Sequence, residues 1–259
     1  MIKFAKMHGN GNDFVMVNSL EKEFNPKKAL IKKLGDRNLG IGFDQMIHIG
    51  APSKDNRDFA VKFYNTDGGK ANMCLNGVRC AATYVWDNKF APKRTLIFQT
   101  KKIDVECRPL KEGVEVILKN PTYFISKDLE KKLSKVIKTS FKLVDLGNLH
   151  LCIQKKSIDQ FDLNGLYKKL EAFLRPLGIN LSIYSKDKDS YNIRTYENGV
   201  GETLSCGSAS FSVAYLCLKD EIKKTTIKSS GGSIKFTKLD DRILMSGPTK
   251  FVYSGSFHE

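Results

Sequence analysis

Residues 64–85, YNTDGGKANMCLNGVRCAATYV, and residues 196–217, YENGVGETLSCGSASFSVAYLC, follow one plan. In each, a tyrosine stands ten residues before a cysteine (Tyr64 to Cys74, Tyr196 to Cys206), a polar residue stands nine before it (Asn65, Glu197) and a glycine five before it (Gly69, Gly201). Behind each cysteine come small residues and then apolar ones: Val78, Ala81, Ala82 and Val85 in the first copy, Ala209, Phe211, Val213, Ala214 and Leu216 in the second. Apolar on most sides, these segments predict helices buried at the centre of a unit. Recurrence of a whole frame within one chain marks a duplication. Each half then reads as a strand, a glycine-rich loop, a cysteine and a central helix, with the boundary near residues 113–120. Further upstream HGNGND precedes the first copy and LGNLH the second, so that Asn12 lies 62 residues before Cys74 and Asn148 lies 58 before Cys206.

The bounds agree with two units. A chain of 259 residues and 29.2 kDa is long enough for two cores of ordinary size. Charged residues at 27%, hydrophobic ones at 41% and a mean hydropathy of -0.32 belong to a globular chain and exclude a disordered one. No apolar run reaches the roughly 20 residues that span a bilayer, and the opening MIKFAKMHGNGNDF lacks the layout of a signal peptide, so no membrane partner and a cytoplasmic location are expected. The net charge of +15 is spread along the chain as KK and KxK pairs rather than gathered, which predicts a lysine-rich surface with a field for small anionic or zwitterionic molecules, and no nucleic-acid partner.

Between the two copies the patterning alternates strands and helices, a mixed α/β class. NPKKALIKKLGDRNLG predicts a surface helix with Asn25 as N-cap and Pro26 in the first turn. Leu129, Leu133, Val136 and Ile137, and Leu166, Leu170, Phe173 and Leu174, predict two more helices. Strands are predicted over 60–64, 95–100, 103–107, 114–118, 225–228, 233–236 and 243–246.

The cysteines carry the chemistry. Cys74, Cys80, Cys107, Cys152, Cys206 and Cys217 include no CxxC pair, so neither a zinc site nor a disulfide framework is expected. A cysteine at a helix N-terminus feels the positive end of the dipole and free N–H groups, which favour the thiolate, and the same N–H groups cradle a carboxylate. Taken singly, either cysteine is an ordinary buried thiol. Taken as a pair in matching frames, they fit three chemistries unequally. A cysteine protease needs one thiol and a histidine, for which His150 is available. A dithiol redox protein uses two thiols but not two anion cradles. Two opposed thiols suit proton transfer best: one removes the α-proton and the other returns a proton to the opposite face.

The chain resembles the diaminopimelate epimerase family from end to end: KMHGNGNDF at 6–14, GIGFDQ at 40–45, YNTDG at 64–68, CLNGVRC at 74–80, LGNLH at 146–150, GET at 201–203, CGS at 206–208 and GGSI at 231–234. The resemblance implies an α+β fold of two pseudo-symmetric halves, each a curved antiparallel or mixed sheet wrapped round a central helix, with the active site in the cleft between them. The halves are expected at residues 1–116 with 251–259, carrying Cys74, and at 117–250, carrying Cys206. It also implies that Cys74 and Cys206 are the two catalytic groups and that His150 and Glu197 tune them. The backbone at Leu75 and Asn76, and at Gly207 and Ser208, would hold the α-carboxylate, and Asn12, Gln45, Asn65, Asn148 and Asn180 would contact the substrate. No metal and no organic cofactor is implied, and a homodimer is left open.

Four positions depart from the family pattern. Leu75 and Ala209 stand where it has glycine, Leu149 where it has proline, and Asn198 follows Glu197 where it has the arginine that clamps a distal carboxylate. Losing such a charge-assisted contact removes about 1.5–3 kcal/mol. The reading is therefore a variant member, similar to the histidine racemases of this superfamily, acting on one polar or basic amino acid. Leu75 and Leu149 are expected to narrow the pocket. The alternative is a diaminopimelate or lanthionine epimerase.

Overall fold

The computed structural model describes residues 1–20 and 24–258. The chain forms two compact units, Met1–Leu118 together with the chain from Ser246 onward, and Lys119–Met245.

In the first unit β1 (Ile2–Gly9) turns through Asn10 and Gly11 into β2 (Asn12–Asn18). Both turn residues have positive φ, 56° and 80°, the geometry for which Asn-Gly is the preferred pair in a two-residue hairpin. This turn sets Asn12 at the first position of β2. After α1 (Lys28–Gly35), β3 (Gln45–Gly50) lies parallel to β2, and β4 (Phe59–Asn65) returns antiparallel to β3. The short β5 (Lys70–Ala71) folds back on β4 and leads to the central helix α2 (Leu75–Asp87). β6 (Leu96–Gln99) pairs parallel with β4, and β7 (Asp104–Pro109) and β8 (Val114–Lys119) complete a meander.

The second unit opens with β9 (Thr122–Tyr123) and α3 (Lys127–Val136), and then repeats the order. β10 (Phe141–Asp145) and β11 (Leu149–Gln154) are antiparallel, and after α4 (Leu163–Leu174) β12 (Asn180–Asp187) lies parallel to β11. β13 (Ser190–Glu197) returns antiparallel, β14 (Gly201–Thr203) folds back on it, and α5 (Gly207–Cys217) follows. β15 (Lys224–Ser229) is parallel to β13 and antiparallel to β16 (Gly232–Leu239), with β17 (Arg242–Gly247) next. β18 (Lys250–Phe257) pairs with β1 in the first unit. Pair for pair, the ladders of β2–β3–β4–β6–β7 and β11–β12–β13–β15–β16 have the same orientations. The two units are one α+β design used twice.

Both central helices are buried nearly all round, as their apolar sequences require. Val78, Cys80, Ala81, Ala82 and Val85 of α2 and Ala209, Phe211, Val213 and Ala214 of α5 are fully enclosed. Gly77 lets α2 settle onto the sheet, because a Cβ there would meet Phe63 Cε1 at 3.1 Å. α1 starts later than its sequence predicts. Lys27, not Asn25, is the N-cap, with φ -69° and ψ 148°, and it makes no side-chain cap bond. With no capping side chain to fix the start, burial of Ile31 and Leu34 sets the helix instead.

Candidate active site

Each unit places a cysteine at the N-cap of its central helix. Cys74 has extended backbone (φ -145°, ψ 110°), and its Sγ accepts the Gly77 N–H at 3.4 Å. Asn12 reaches it from the hairpin: the Cys74 thiol donates to Asn12 Oδ1 at 3.6 Å, and Asn76 Nδ2 donates to the same oxygen at 3.4 Å. The Asn12 amide is oriented by Asp44, which accepts from Nδ2 at 2.7 Å. Arg37 binds Asp13 with both of its terminal nitrogens (3.1 and 2.9 Å) and reaches Asp44 at 2.7 Å, while Lys6 pairs with Asp13 at 2.6 Å. Burial opposes ionisation of Asp13, but the hydrogen bonds from Arg37 and Lys6 outweigh it and hold the carboxyl at about 2. Burial pushes Asp44 up, against the Asn12 hydrogen bond. Gln45 Nε2 donates to Asn65 Oδ1 at 2.8 Å, leaving Gln45 Oε1 buried without a protein partner.

The second unit repeats the construction with different side chains. Cys206 (φ -114°, ψ 112°) caps α5 without a side-chain cap bond, and its Sγ lies 3.5 Å from Ser208 Oγ. Asn148 stands where Asn12 does, after a hairpin, and donates to Ser208 Oγ at 3.1 Å; its Oδ1 is buried without a protein partner. In both units the first N–H groups of the helix lack a carbonyl partner within it, and in α2 that of Gly77 goes to the Cys74 sulfur. Glu197 Oε1 accepts from Thr203 Oγ1 at 2.7 Å. Asn180 is buried, and its Oδ1 accepts the Asn198 N–H at 2.9 Å, pinning the turn after β13. The Asn198 side chain is directed toward α4, with Oδ1 accepting from Tyr167 at 3.0 Å and Nδ2 donating to the Arg175 carbonyl at 3.3 Å.

Within the first unit the structure therefore brings together Cys74, Asn12 and Asn76, and pairs Gln45 with Asn65. Within the second it joins Cys206, Ser208 and Asn148, and links Asn180 to Asn198, with Glu197 beside them in sequence. Gly207 opens α5 and is buried. His150 differs from a proton-carrying partner. It is fully enclosed, neither ring nitrogen has a hydrogen-bond partner, and burial pushes its pKa down to about 3, so the ring is neutral near pH 7. Leu75 is 1% exposed and Leu149 packs against the apolar cluster of α3, α4, β11 and β12, so their bulk enters the interior rather than an open wall. Sequence reasoning passed over Asp44, Arg37 and Asp13, which orient Asn12, and Tyr167 and Thr203, which hold Asn198 and Glu197. Asp44 lies inside GIGFDQ, and its place one residue before Gln45 was the available signal. The remaining cysteines are core thiols: Cys80, Cys107, Cys152 and Cys217 are buried, and burial raises all four, Cys80 to about 12 and Cys217 to about 11. Among the described residues no group of three or more His, Cys, Asp or Glu is arranged to hold a metal ion, and no helix is long and apolar enough to cross a membrane.

A diaminopimelate epimerase from Wigglesworthia glossinidia brevipalpis is 34% identical over 278 residues, covering 99% of this chain and 100% of its own. The chain belongs to the diaminopimelate epimerase family. The family's sequence model matches residues 4–122, and the enzyme of that name from Pseudomonas entomophila is 30% identical with 98% of both chains covered. Among solved structures, a PhzF-family phenazine biosynthesis protein from Bacillus anthracis aligns with a TM-score of 0.72 at 13% identity, covering 98% of each chain. A hydroxyproline epimerase from Agrobacterium vitis, with trans-4-hydroxy-L-proline bound, aligns at 0.67 and 11% identity over 98% of this chain and 90% of its own. These two likenesses are of fold. As a member of the diaminopimelate epimerase family, the protein is an isomerase of the epimerase and racemase class.

Proposed function

We propose that this family member is a cofactor-independent amino-acid racemase whose two bases are Cys74 and Cys206, and whose substrate lacks a distal carboxylate, with histidine the first choice. One thiolate takes the α-proton to become a thiol, and the carbanion takes a proton from the other thiol on the opposite face, which becomes the thiolate. Protons balance, and the inverted amino acid leaves. The N-termini of α2 and α5 supply N–H groups for the α-carboxylate. The partnerless acceptors Gln45 Oε1 and Asn148 Oδ1 are of the type an α-ammonium satisfies. Neutral His150 contributes shape and polarity, not a proton.

The observation that carries the choice of substrate is Asn198. It supplies no cation, and its amide is engaged by Tyr167 and the Arg175 carbonyl. The two arginines nearest in sequence do not replace the missing guanidinium, since Arg175 pairs with Glu171 at 2.8 Å and Arg194 with Glu202 at 2.6 Å. A second carboxylate desolvated against neutral amides is costly. The competing reading, diaminopimelate epimerisation, is favoured by the names of the full-length relatives at 30–34% identity.

Incubation of the purified protein with L-histidine, other polar and basic L-amino acids, L,L-diaminopimelate and meso-lanthionine, followed by chiral chromatography, separates the two. Histidine is expected to turn over in preference to diaminopimelate, and Cys74→Ala and Cys206→Ala are each expected to abolish turnover. Preferred turnover of diaminopimelate would overturn the argument from Asn198, and near-normal turnover by either alanine variant would overturn the two-thiol mechanism.

A further inference from the structure

Arg79 lies in the second turn of α2, fully enclosed, and the proposed reaction does not use it. Its Nη2 donates to Asn76 Oδ1 at 2.9 Å and to Asn10 Oδ1 at 3.1 Å, while Nε and Nη1 are buried without a partner. Glycines make room for it: a Cβ at Gly247 would stand 2.9 Å from Arg79 Cζ, and one at Gly9 would stand 3.3 Å from Nη2. Among the described residues no carboxylate pairs with it. A buried guanidinium without a counter-charge is expensive, and a fold that keeps one needs an anion nearby in some state.

Burial lowers the pKa of the Arg79 guanidinium, and the nearby thiols of Cys80 on its own helix, Cys74 and Cys107 on β7 act in the opposite direction. Cys80 and Cys107 are fully buried, and burial holds both as thiols at neutral pH. The other charges on strands packed against α2 pair among themselves: Lys6 with Asp13, Asp104 with Arg57, Glu106 with Arg108. Lys3 is exposed, and the imidazoles His8 and His48 lie on β1 and β3. Cys74, half-buried at the helix terminus, is the least enclosed of the three thiols. The second unit has no equivalent. Five residues after Cys206, where Arg79 follows Cys74, stands Phe211, enclosed and packed edge-on against Phe236.

We propose that Arg79 is a positioning residue for Cys74. Its guanidinium holds the Asn76–Asn12 bridge beside the sulfur and supplies the positive charge that keeps Cys74 a thiolate in the free protein, whereas Phe211 leaves Cys206 a thiol. The Gly77 N–H given to the Cys74 sulfur favours the same state, and Asn12 Oδ1, which accepts from the thiol, opposes it. The asymmetry gives the two similar units different resting roles, base in the first and acid in the second. The inference rests on the reading of Cys74 as a reactive thiol.

Iodoacetamide labelling of the whole chain, with the Cys74 and Cys206 peptides quantified by mass spectrometry between about pH 6 and pH 9, tests it. Cys74 is expected to label at lower pH than Cys206. In Arg79→Met the Cys74 profile should move to the alkaline side, slowing labelling roughly tenfold at neutral pH, with Cys206 unchanged within about twofold. Arg79→Lys, which keeps the charge and loses the fork, should retain most of the reactivity. A purely structural role for Arg79 would leave the pH profile of a folded variant in place. An unmoved Cys74 profile in Arg79→Met overturns the proposal, as does greater wild-type reactivity at Cys206. Should circular dichroism show Arg79→Met unfolded, the wild-type comparison and Arg79→Lys still decide. Persistent turnover in Cys74→Ala would instead strike the two-thiol reading and leave the labelling result standing.

Discussion

Asn198 shows how one residue change reads differently in sequence and in structure. In sequence it is a missing cation; in the fold it is a brace, bonded to the Tyr167 hydroxyl and the Arg175 carbonyl while its own N–H is fixed by Asn180. Tyr167 is itself stacked on Tyr196, with ring centroids 3.8 Å apart, so its hydroxyl can be removed without disturbing the ring. Tyr167→Phe is expected to lower stability to urea by about 1 kcal/mol, and Asn198→Ala by a similar amount. Because both remove the shared Tyr167–Asn198 hydrogen bond, while Asn198→Ala also removes the bond to the Arg175 carbonyl, the double variant should cost clearly less than the two together, and full additivity would show that the shared bond contributes nothing. At this scale the sequence made Cys74 and Cys206 legible through their repeated frame, since spacing alone aligns them. Asp44, which orients Asn12, was hidden for a physical reason: the two meet across 32 residues of chain, and no local pattern encodes such a contact.

The elements depend on a few backbone positions where no side chain fits. After α1 the chain doubles back through Gly40, with Gly40 N–H bonded to the Asp36 carbonyl at 3.0 Å, and Ile41 and Gly42 bonded to the Leu34 carbonyl at 2.9 and 3.0 Å. A Cβ at Gly40 would run into the carbonyl of Lys33 and stand 2.7 and 2.9 Å from those of Leu34 and Asp36. This loop delivers Asp44 to Asn12. Gly40→Ala is expected to lower stability by about 1–3 kcal/mol in a urea titration and to reduce turnover through displacement of Asp44. Unchanged stability would show that the turn yields more easily than its backbone contacts imply. The strands over 60–64, 95–100, 103–107, 114–118, 225–228, 233–236 and 243–246 were legible because β-branched and aromatic residues recur in them; each overlaps an observed strand. The ladders' parallel or antiparallel sense was not legible, since it depends on crossovers through α1 and α4 that local patterning does not contain. The start of α1 was misplaced by two residues because Asn25 and Pro26 look like an N-terminus, yet Lys27 remains extended.

At the scale of the whole molecule, a duplicated design need not give two units of equal acid tolerance, because their buried titratable groups differ. The second unit encloses His150, whose value falls from 6.5 to about 3 on burial. The fold favours the neutral ring and the unfolded chain binds the proton first. The stability involved is therefore complete above pH 6.5 and drains away as pH falls toward 3, by about 1.4 kcal/mol per pH unit, or about 2 kcal/mol by about pH 5. In the first unit Asp13 is lowered from 3.8 to about 2, so its contribution is intact above 3.8 and lost only below it. The second unit should therefore weaken first. The chain's one tryptophan, Trp86, lies in α2 of the first unit, 8% exposed, and reports on that unit alone. In an acid titration, far-ultraviolet circular dichroism should begin to fall near pH 5, while the red shift of Trp86 fluorescence should wait until below about pH 4. His150→Leu, which replaces the partnerless ring with an apolar side chain, should move the first transition toward lower pH and leave the second in place. Coincident transitions in the wild type, or a first transition unmoved in His150→Leu, would remove His150 as the source of the asymmetry.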